Sequence, residues 1–276
     1  MKTKKAIALV LVLLALMVSV TLPPQKTVAA GSPGIVTDTS KISEGNTVWF
    51  GNIQVMLQGV LPIQWRVLGN GNDSGGSSRL LLSDKLLETA VFAPLSNAWQ
   101  GSQAQIWCGN FYTNSFSATE KNALVETSRD DDAYTAQSGT NFAASDGILN
   151  NEFVFYLSAE EAETYFSNDE SRKAKSLEGV SYNWWLRSPE AGNNNYAGIV
   201  SSIGNVRSKE THNLSTYTRP AFNLNLSSVL FTSPAEGGKV SGPIGKDALT
   251  VVPNTETTEW KLTLLDTSRA FSASWF

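Results

Sequence analysis

The sequence contains one cysteine and one histidine in 276 residues. A single cysteine excludes an intramolecular disulfide, and it excludes a structural zinc site built on paired thiolates. A single histidine excludes any mechanism that needs two imidazoles. The fold must therefore be stable without disulfide bonds, and catalysis by a histidine pair is ruled out.

Charged side chains are also scarce, and positive charge is scarcer than negative charge. Asp, Glu, Lys and Arg make up 17% of the chain against 41% hydrophobic residues, which is the composition of a folded protein. The formal net charge is −4. Because proteins that bind the phosphate backbone do so through clustered Lys and Arg, this composition argues against a nucleic-acid partner.

The first thirty residues have the pattern of a secretory signal. Lysines lie in Met1–Lys5, apolar or small residues fill Ala6–Leu22, and the small residues Val28–Ala30 provide a site that a signal peptidase reads. We expect residues 1–30 to be a cleaved signal peptide, and the protein to be secreted or displayed at the cell surface. Uncleaved, this segment would be a membrane anchor, the only membrane contact that the sequence predicts. Cleavage removes four lysines and no acid, which leaves 17 basic and 25 acidic residues and a formal charge of −8.

Hydrophobic periodicity divides the exported part into strands, then helices, then strands. Residues 31–45 are polar and predict a flexible lead-in. This order predicts an α+β domain over residues 46–230 with antiparallel sheets, and not a parallel βαβ array. The predicted strands are Val48–Phe50, Ile53–Leu57, Ile63–Leu68, Arg79–Ser83, Asn183–Pro189, Tyr196–Ser201 and Arg219–Leu226.

Helices are predicted in the middle of this domain. Ala98–Phe111 places its aromatic residues near one stripe. Ser117–Glu120 and Ser158–Glu161 match the capping box, in which a serine hydroxyl and a glutamate satisfy the first free amide groups of a helix. Glu152–Leu157 is predicted to be a short buried strand that leads into the second capped helix.

Beyond residue 230 the chain carries a hinge and two further strand candidates, Ala248–Val252 and Trp260–Leu265. Two or three strands cannot enclose a core of their own. Residues 231–276 therefore either pack on the main domain or begin a further module. The sequence favours the second alternative, a linker followed by a partial β module.

Several motifs follow one another in a fixed order along residues 46–230. The most specific are Trp184–Pro189 (Trp-Trp-Leu-Arg-Ser-Pro) and the later Arg219–Phe222 (Arg-Pro-Ala-Phe), and Ile63–Leu68 and Phe116–Lys121 precede them. In this order the sequence resembles a bacterial domain-of-unknown-function family found on secreted proteins of gut bacteria. That family in turn resembles the C-type lectin-like fold, in the branch of the formylglycine-generating (sulfatase-modifying) enzymes and the variable proteins of diversity-generating retroelements. The resemblance implies a C-type lectin-like mixed α+β fold with antiparallel sheets and two or three short helices.

The resemblance does not imply enzymatic activity. Formylglycine-generating enzymes work through a pair of cysteines, whereas this chain has only Cys108. Cys108 lies on a predicted helix with aromatic neighbours, so we expect a small buried hydrophobe and not a reactive thiol. The chain is accordingly predicted not to be an enzyme and to need no cofactor.

Two polar stretches are candidates for a metal site or a catalytic base. Residues 130–132 are three consecutive aspartates that could ligate calcium, but they lack the alternating spacing of oxygen ligands and predict a solvated acidic loop. His212 lies in a polar stretch and predicts a surface histidine, not a general base. No serine lies in a nucleophile-elbow context. The sequence thus predicts no metal site.

Two arginines and two tryptophans near the signature motifs also have structural interpretations. Arg187 and Arg219 are expected to hold loops to backbone carbonyls or acids instead of binding substrate. Trp184 and Trp185 are neighbours in a predicted strand, so their side chains point to opposite faces. One is expected in the core, while the other could line a surface.

The turns between the last predicted strands form the candidate ligand-binding site. They combine Asn, Ser, Tyr, His and Arg, including Ser201-Ser202, in a composition similar to antibody paratopes, where Tyr gives contact area and Asn or Ser gives adaptable hydrogen bonds. In the lectin-like relatives the corresponding C-terminal loops face the ligand. The alternative is that these residues simply fill exposed turns. The candidate residues are Asn193, Asn194, Asn195, Tyr196, Asn205, Arg207, His212, Asn213 and Tyr217.

The sequence therefore predicts a secreted or surface-displayed, non-catalytic module that binds an extracellular glycan or a surface protein through these turns. One alternative is a hydrolase or protein-modifying enzyme, which requires a pocket where at least two titratable side chains converge. The other alternative is a structural spacer domain of a larger surface protein.

Overall fold

The computed structural model describes residues 38–56, 58–71, 77–235 and 258–265. The predicted signal peptide, residues 31–37 of the lead-in, the centre of the glycine-rich turn (72–76) and the strand candidate at 248–252 lie outside the described residues. Among the helices of the described part, none is long and apolar enough to cross a membrane.

The described residues form an α+β domain that is mostly β. The strands are β1 (Thr47–Val55), β2 (Gly59–Asn70), β3 (Ser78–Ser83), β4 (Leu124–Val125), β5 (Thr127–Asp131), β6 (Tyr134–Thr135), β7 (Asn141–Phe142), β8 (Ser145–Glu152), β9 (Trp184–Pro189), β10 (Tyr196–Val200), β11 (Val206–Glu210), β12 (Ala221–Asn225), β13 (Val229–Pro234) and β14 (Glu259–Leu264). The helices are α1 (Gln103–Ser115), α2 (Ala118–Lys121), α3 (Ala159–Thr164), α4 (Asp169–Arg172) and a 3-10 turn at Leu226–Ser228.

Seven strands form the main sheet in the order β13-β14-β1-β2-β3-β12-β4. All neighbours run antiparallel except β1 and β14, which are parallel. An aromatic cluster covers this sheet, with Trp65 fully buried at its centre. The Trp65 ring meets Phe222 edge-on at a centroid distance of 4.6 Å, and its Nε1 donates to the carbonyl oxygen of Phe50 at 2.7 Å. The cluster thus combines apolar burial with a satisfied indole N–H.

Both ends of the predicted domain differ from expectation. β14 lies inside the main sheet between β13 and β1, and Trp260 on it is buried, so this strand packs on the main domain and does not belong to a separate module. Ile42 of the lead-in is also buried, and its carbonyl oxygen accepts a hydrogen bond from Arg79 Nε at 3.2 Å. An unpaired sheet edge favours pairing with a further strand. The sequence of a polar stretch or of a late strand candidate does not show which sheet edge is unpaired.

Local helix signals were mostly accurate. The capping boxes of Ser117 with Glu120 and of Ser158 with Glu161 are both present, which confirms the predicted starts of α2 and α3. α1 begins later than predicted, because Ser102 is its N-cap and accepts a hydrogen bond from the Gln105 amide at 3.0 Å. The predicted strand Glu152–Leu157 was wrong, since β8 ends at Glu152 and the following buried run makes only one bridge, at Phe155. A short apolar run does not distinguish a strand from an irregular buried segment.

A second sheet has three strands in the order β11-β10-β9, and every residue of β9 is buried. Both Trp184 and Trp185 are fully buried, so the expectation that one lines a surface was wrong. The Trp185 Nε1 donates to the carbonyl oxygen of Ala90 at 2.7 Å, while the guanidinium of Arg219 lies over the Trp184 ring at 4.6 Å. β9 is therefore covered on both faces, which sequence alternation alone does not reveal.

Arg187 of β9 is the centre of a buried ionic network. Its Nε and Nη2 donate to the two carboxylate oxygens of Asp131 at 2.9 and 2.7 Å, and its Nη1 donates to Glu161 Oε2 at 2.6 Å and to the carbonyl oxygen of Tyr156 at 2.8 Å. Arg129 Nη1 also donates to Glu161 Oε1 at 2.8 Å. Two arginines thus face two acids, and the expectation that Arg187 binds acids and carbonyls is confirmed.

The electrostatics of this network favour the charged forms. Burial by itself raises the pKa of Glu161, but the neighbouring Arg187 and Arg129 outweigh it, and the net pKa is lowered. The pKa of Arg187 is raised because Glu161 and Asp131 outweigh its own desolvation. The contact of Arg187 with Asp131 is bidentate, and each nitrogen of the guanidinium donates at least one hydrogen bond, which is the condition under which a buried ion pair is tolerated.

Replacing Arg187 with methionine should lower the free energy of unfolding by about 3–5 kcal/mol, because two buried acids, Asp131 and Glu161, would be left with only the partly exposed Arg129 to compensate them. The matched control is Arg207→Met, at an exposed position of β11, which should change it by less than about 0.5 kcal/mol. Urea denaturation followed by tryptophan fluorescence measures both. An unchanged midpoint for Arg187→Met would contradict the role assigned to this network.

Candidate functional site

Within the hairpin of β10 and β11, the exposed positions lie on β11, whereas β10 is buried except at Tyr196. β10 pairs with β9 on one side and with β11 on the other, whereas β11 is the outer strand. The two strands are joined by a tight turn in which Ser201 N donates to the carbonyl oxygen of Asn205 at 2.9 Å. Gly204 in this turn has a φ of 97°, a conformation that favours glycine.

The turn of this hairpin is fastened to α4. Arg172 is fully buried, and its Nε donates to the carbonyl oxygen of Gly204 at 2.8 Å. Asp169 accepts hydrogen bonds from both Arg172 and the side-chain amide of Asn205. A Cβ at Gly204 would overlap the backbone of Asp169. Asn205, a predicted ligand-binding residue, is therefore part of the support for the hairpin.

A groove of about 630 Å³ runs along this hairpin. Its size lies within the range of small-molecule and cofactor sites. Three of the predicted residues line it: Tyr196, Arg207 and Asn213. The other lining residues are Ser201 and Ser202, which belong to the predicted segment, and Asn183, Ile199, Ile203, Ser208, Lys209 and Glu210, which the sequence analysis did not select. Arg207 and Lys209 alternate along β11, a strand that the sequence analysis did not predict, and this alternation is the signal that could have identified Lys209.

Tyr196 and Glu210 are opposite each other in the β10–β11 register. The Tyr196 hydroxyl donates to Glu210 Oε1 at 3.2 Å, and this hydrogen bond and the charge of Glu210 raise the pKa of Tyr196. His212 is exposed, as predicted, and its Nε2 lies 3.6 Å from Glu210 Oε2. Tyr196 is thus held in one orientation, with its hydroxyl already engaged.

The remaining predicted residues lie beside the groove or in its support. Asn193, Asn194 and Asn195 form the exposed turn between β9 and β10. Asn97 is buried and holds this turn, because its Nδ2 donates to the carbonyl oxygens of Asn193 at 3.0 Å and of Glu190 and Tyr196 at 3.1 Å. These asparagines are presented to solvent by a fixed turn but do not line the groove.

Tyr217 is half-buried and stacks on Tyr182, with ring centroids 4.7 Å apart and an interplanar angle of 18°. Its backbone amide donates to the carbonyl oxygen of Asn183 at 2.9 Å, and Asn183 lines the groove. The stacked pair therefore adjoins the groove through Asn183. Tyr182 lies outside the predicted strands and turn motifs, and the sequence analysis did not select it.

A second cavity of about 270 Å³ contains Cys108 and Glu152. The Glu152 carboxylate accepts hydrogen bonds from Trp99 Nε1 at 2.9 Å and from Gln105 Nε2 at 2.8 Å, and burial raises its pKa. Burial and the nearby charge of Glu152 raise the pKa of the Cys108 thiol well above its usual range. Since the thiolate is the nucleophilic form of cysteine, this arrangement keeps Cys108 unreactive.

The acidic run at residues 130–132 is divided between the interior and the surface. Asp131 is buried and bound by Arg187, whereas Asp130 and Asp132 are exposed. Their oxygens therefore do not converge on one point. Within the part of the chain that the structure describes, no three His, Cys, Asp or Glu side chains are grouped so that they could hold a metal ion.

Comparison with known families matches residues 76–226 to the family described as "Domain of unknown function (DUF6273)". The matched region contains the groove and the Arg187 network, while β1, β2 and β14 lie outside it. No curated protein and no solved structure matches the chain. The expected assignment to a family of unknown function is confirmed.

Replacing Gly204 with alanine should lower the free energy of unfolding by about 2 kcal/mol or more, because the methyl group adds an overlap with Asp169 to the strain of a positive φ. Gly192→Ala is the matched control. Its φ is 78° with nothing near the added Cβ, so it should cost only the strain, about 1 kcal/mol. Equal unfolding midpoints for the two variants would contradict the close approach of the turn to α4.

Cys108 should react with iodoacetamide at pH 8 at least about tenfold more slowly in the native chain than in urea. Burial and the Glu152 charge raise its pKa, and each pKa unit reduces the thiolate fraction about tenfold. Mass spectrometry of the alkylated peptide over time measures both rates. Equal rates in the two conditions would instead indicate an accessible, reactive thiol and favour an enzyme.

Proposed function

The chain belongs to this family of domains of unknown function, and we propose that it is a secreted or surface-displayed, non-catalytic module that binds an extracellular glycan or a surface protein in the β10–β11 groove. The observation that carries the proposal is the groove itself. It combines an oriented tyrosine, two asparagines, three serines and charged side chains in one concave surface of about 630 Å³. Such a mixture of aromatic and adaptable polar groups is typical of surfaces that bind ligands without transforming them.

Apolar side chains on the rim of the groove support the same proposal. Ile203 is 59% exposed in the groove, and Leu214, 77% exposed, follows the groove residue Asn213. Tyr182, 37% exposed, precedes the groove residue Asn183. Exposed large apolar residues beside a polar cleft favour an interaction surface over plain turns.

The rigidity of the support is a further argument. A site held on packed strands keeps its geometry better than one on loose loops. Here the turn is fastened by Arg172 and Asp169, and the asparagine-rich turn is fastened by Asn97. Little ordering of the backbone is then required on binding, which lowers the entropic cost of recognition.

The C-type lectin-like relationship remains part of this proposal. Its support is the order of the signature motifs and the mixed α+β architecture with short helices and antiparallel sheets. In such a fold the loops near the C-terminal strands would bind the ligand, and the β10–β11 hairpin lies late in the chain order, before β12. Fold similarity alone does not define a function, so the binding test below is the decisive one.

The enzyme alternative requires two titratable groups in one pocket. Tyr196 and Glu210 meet this requirement in the groove, and Cys108 and Glu152 meet it in the second cavity. The raised pKa of the thiol argues against nucleophilic use of this pair, because an activated cysteine needs a lowered pKa. We therefore propose binding as the function.

Replacing Tyr196 with alanine should weaken ligand binding by about 2 kcal/mol, because the oriented ring supplies contact area in the groove. Arrays of glycans and of bacterial and host surface proteins identify the ligand, and calorimetry on the strongest hit gives the Kd. Tyr112→Ala is the matched control, since Tyr112 is also half-buried but stacks on Phe153 outside the groove. Equal Kd values for Tyr196→Ala and the parent, or arrays without any hit, would refute the proposal.

A further inference from the structure

The side chains fixed in the groove mostly offer hydrogen-bond donors. Asn183 Oδ1 accepts from the Ser202 amide at 2.9 Å, and Asn213 Oδ1 accepts from the Ser215 amide at 3.0 Å and from Thr216 Oγ1 at 2.9 Å. The carbonyl ends of both amides are therefore occupied within the protein. Among the described residues the two Nδ2 groups have no acceptor, so each amide presents its donor end to the groove.

The two cations of the groove, Arg207 and Lys209, are also hydrogen-bond donors. Lys209 makes no hydrogen bond or ion pair with any described residue, and Arg207 makes a single hydrogen bond, from Nη2 to Asn205 Oδ1 at 3.1 Å. Neither cation is neutralised by a described carboxylate. Both ammonium and guanidinium groups are donors only, so the groove holds two positive charges that are free to meet a ligand.

The strand register places these cations together. Side chains two residues apart on a strand share a face and are about 6.6 Å apart along it, so Arg207 and Lys209 are neighbours on one face of β11. Their cross-strand partners, Ile199 and Ala197, are uncharged. Glu210, the acid of the groove, belongs to the alternate face, opposite Tyr196, whose hydroxyl it accepts. Glu210 lines the same groove, but among the described residues its carboxylate contacts Tyr196 and His212 and neither cation.

From this arrangement we infer that the groove takes an acidic glycan. A carboxylate or sulfate group of the glycan lies between Arg207 and Lys209 and accepts charge-assisted hydrogen bonds from both. The Nδ2 groups of Asn183 and Asn213 and the hydroxyl groups of the lining serines bind sugar hydroxyl and ring oxygens. This inference rests on the proposed binding function and adds the chemical class of the ligand.

A glycan fits these observations better than an acidic protein segment does. The groove presents several hydroxyl and amide groups, and these can form hydrogen bonds with the hydroxyl groups of a saccharide. The two cations are neighbours on one strand face, so one anionic group of a saccharide unit can meet both of them. A protein ligand would more often insert large apolar anchors into a buried centre, whereas here the apolar residues lie on the rim.

The test compares four probes on the purified full chain: chondroitin sulfate, polygalacturonate, neutral dextran and poly-glutamate. We expect chondroitin sulfate, polygalacturonate or both to bind at least about tenfold more tightly than dextran and poly-glutamate, and to weaken as NaCl rises from roughly 50 to 500 mM. Chemically desulfated chondroitin distinguishes the two anions. Loss of its binding assigns the site to sulfate, and unchanged binding assigns it to carboxylate.

The double variant Arg207→Gln with Lys209→Gln should lose at least about tenfold in affinity for the acidic glycans and keep the thermal midpoint of the parent. The matched control removes two positive charges outside the groove, by Lys41→Gln with Lys121→Gln, and should bind as the parent does. Each control lysine lies over one aromatic ring outside the groove.

Three results would overturn the acidic-glycan inference: tight binding of dextran, equal binding by the double variant, or poly-glutamate binding as tightly as the glycans. Each of them leaves the proposed function standing if Tyr196→Ala abolishes the binding that is observed. A protein hit on the arrays with no acidic glycan bound would also overturn the inference alone. Arrays without any hit would refute the proposed function itself.

Discussion

The structure depends on the neutralisation of one buried guanidinium. Arg187 has no exposed surface, and its charge is compensated by Asp131 from β5 and Glu161 from α3. Glu161 is at the same time the N3 residue of the α3 capping box, where its Oε2 accepts from the Ser158 amide at 2.8 Å. One group of charges therefore fixes a strand, a helix start and the strand β9 from which the second sheet extends. Removing any member leaves a buried charge, which is why these elements hold their positions together.

The candidate site lies on the exposed outer strand of the second sheet, and this strand is supported by the fully buried strand β9. β9 is buried on both faces, β10 shares its hydrogen bonds, and β11 carries the exposed charges. The turn at Gly204 and the turn at Asn193–Asn195 are fastened from below by Arg172 and Asn97. Substitutions of the side chains on β11 therefore leave the buried core intact, and the backbone that carries these side chains stays in place. This combination suits recognition, because the donors in the groove are oriented before a ligand arrives.

The sequence predictions were accurate where a feature depends on residues close together in the chain, and less accurate where it depends on residues far apart. The capping boxes at Ser117 and Ser158 depend on residues three apart, and both were predicted correctly. The roles of Arg187 and Cys108 follow from the cost of burying a charge or a thiol, and they too were anticipated. Of the predicted site residues, Tyr196, Arg207 and Asn213 line the groove, whereas Asn205 supports the turn. Its partner Asp169 is 36 residues away, and no local pattern connects them.

The sequence by itself determined the α+β class, the starts of α2 and α3, the membership of a family of unknown function and the polar character of the turns after β9. Those properties depend on composition, periodicity and short motifs, which are encoded locally. Only the tertiary structure decided that β14 joins the main sheet, that both Trp184 and Trp185 are buried, and that Lys209 and Asn183 line the groove. Each of these depends on which distant surface covers a residue, because burial and pairing are properties of two partners and a sequence pattern describes only one of them.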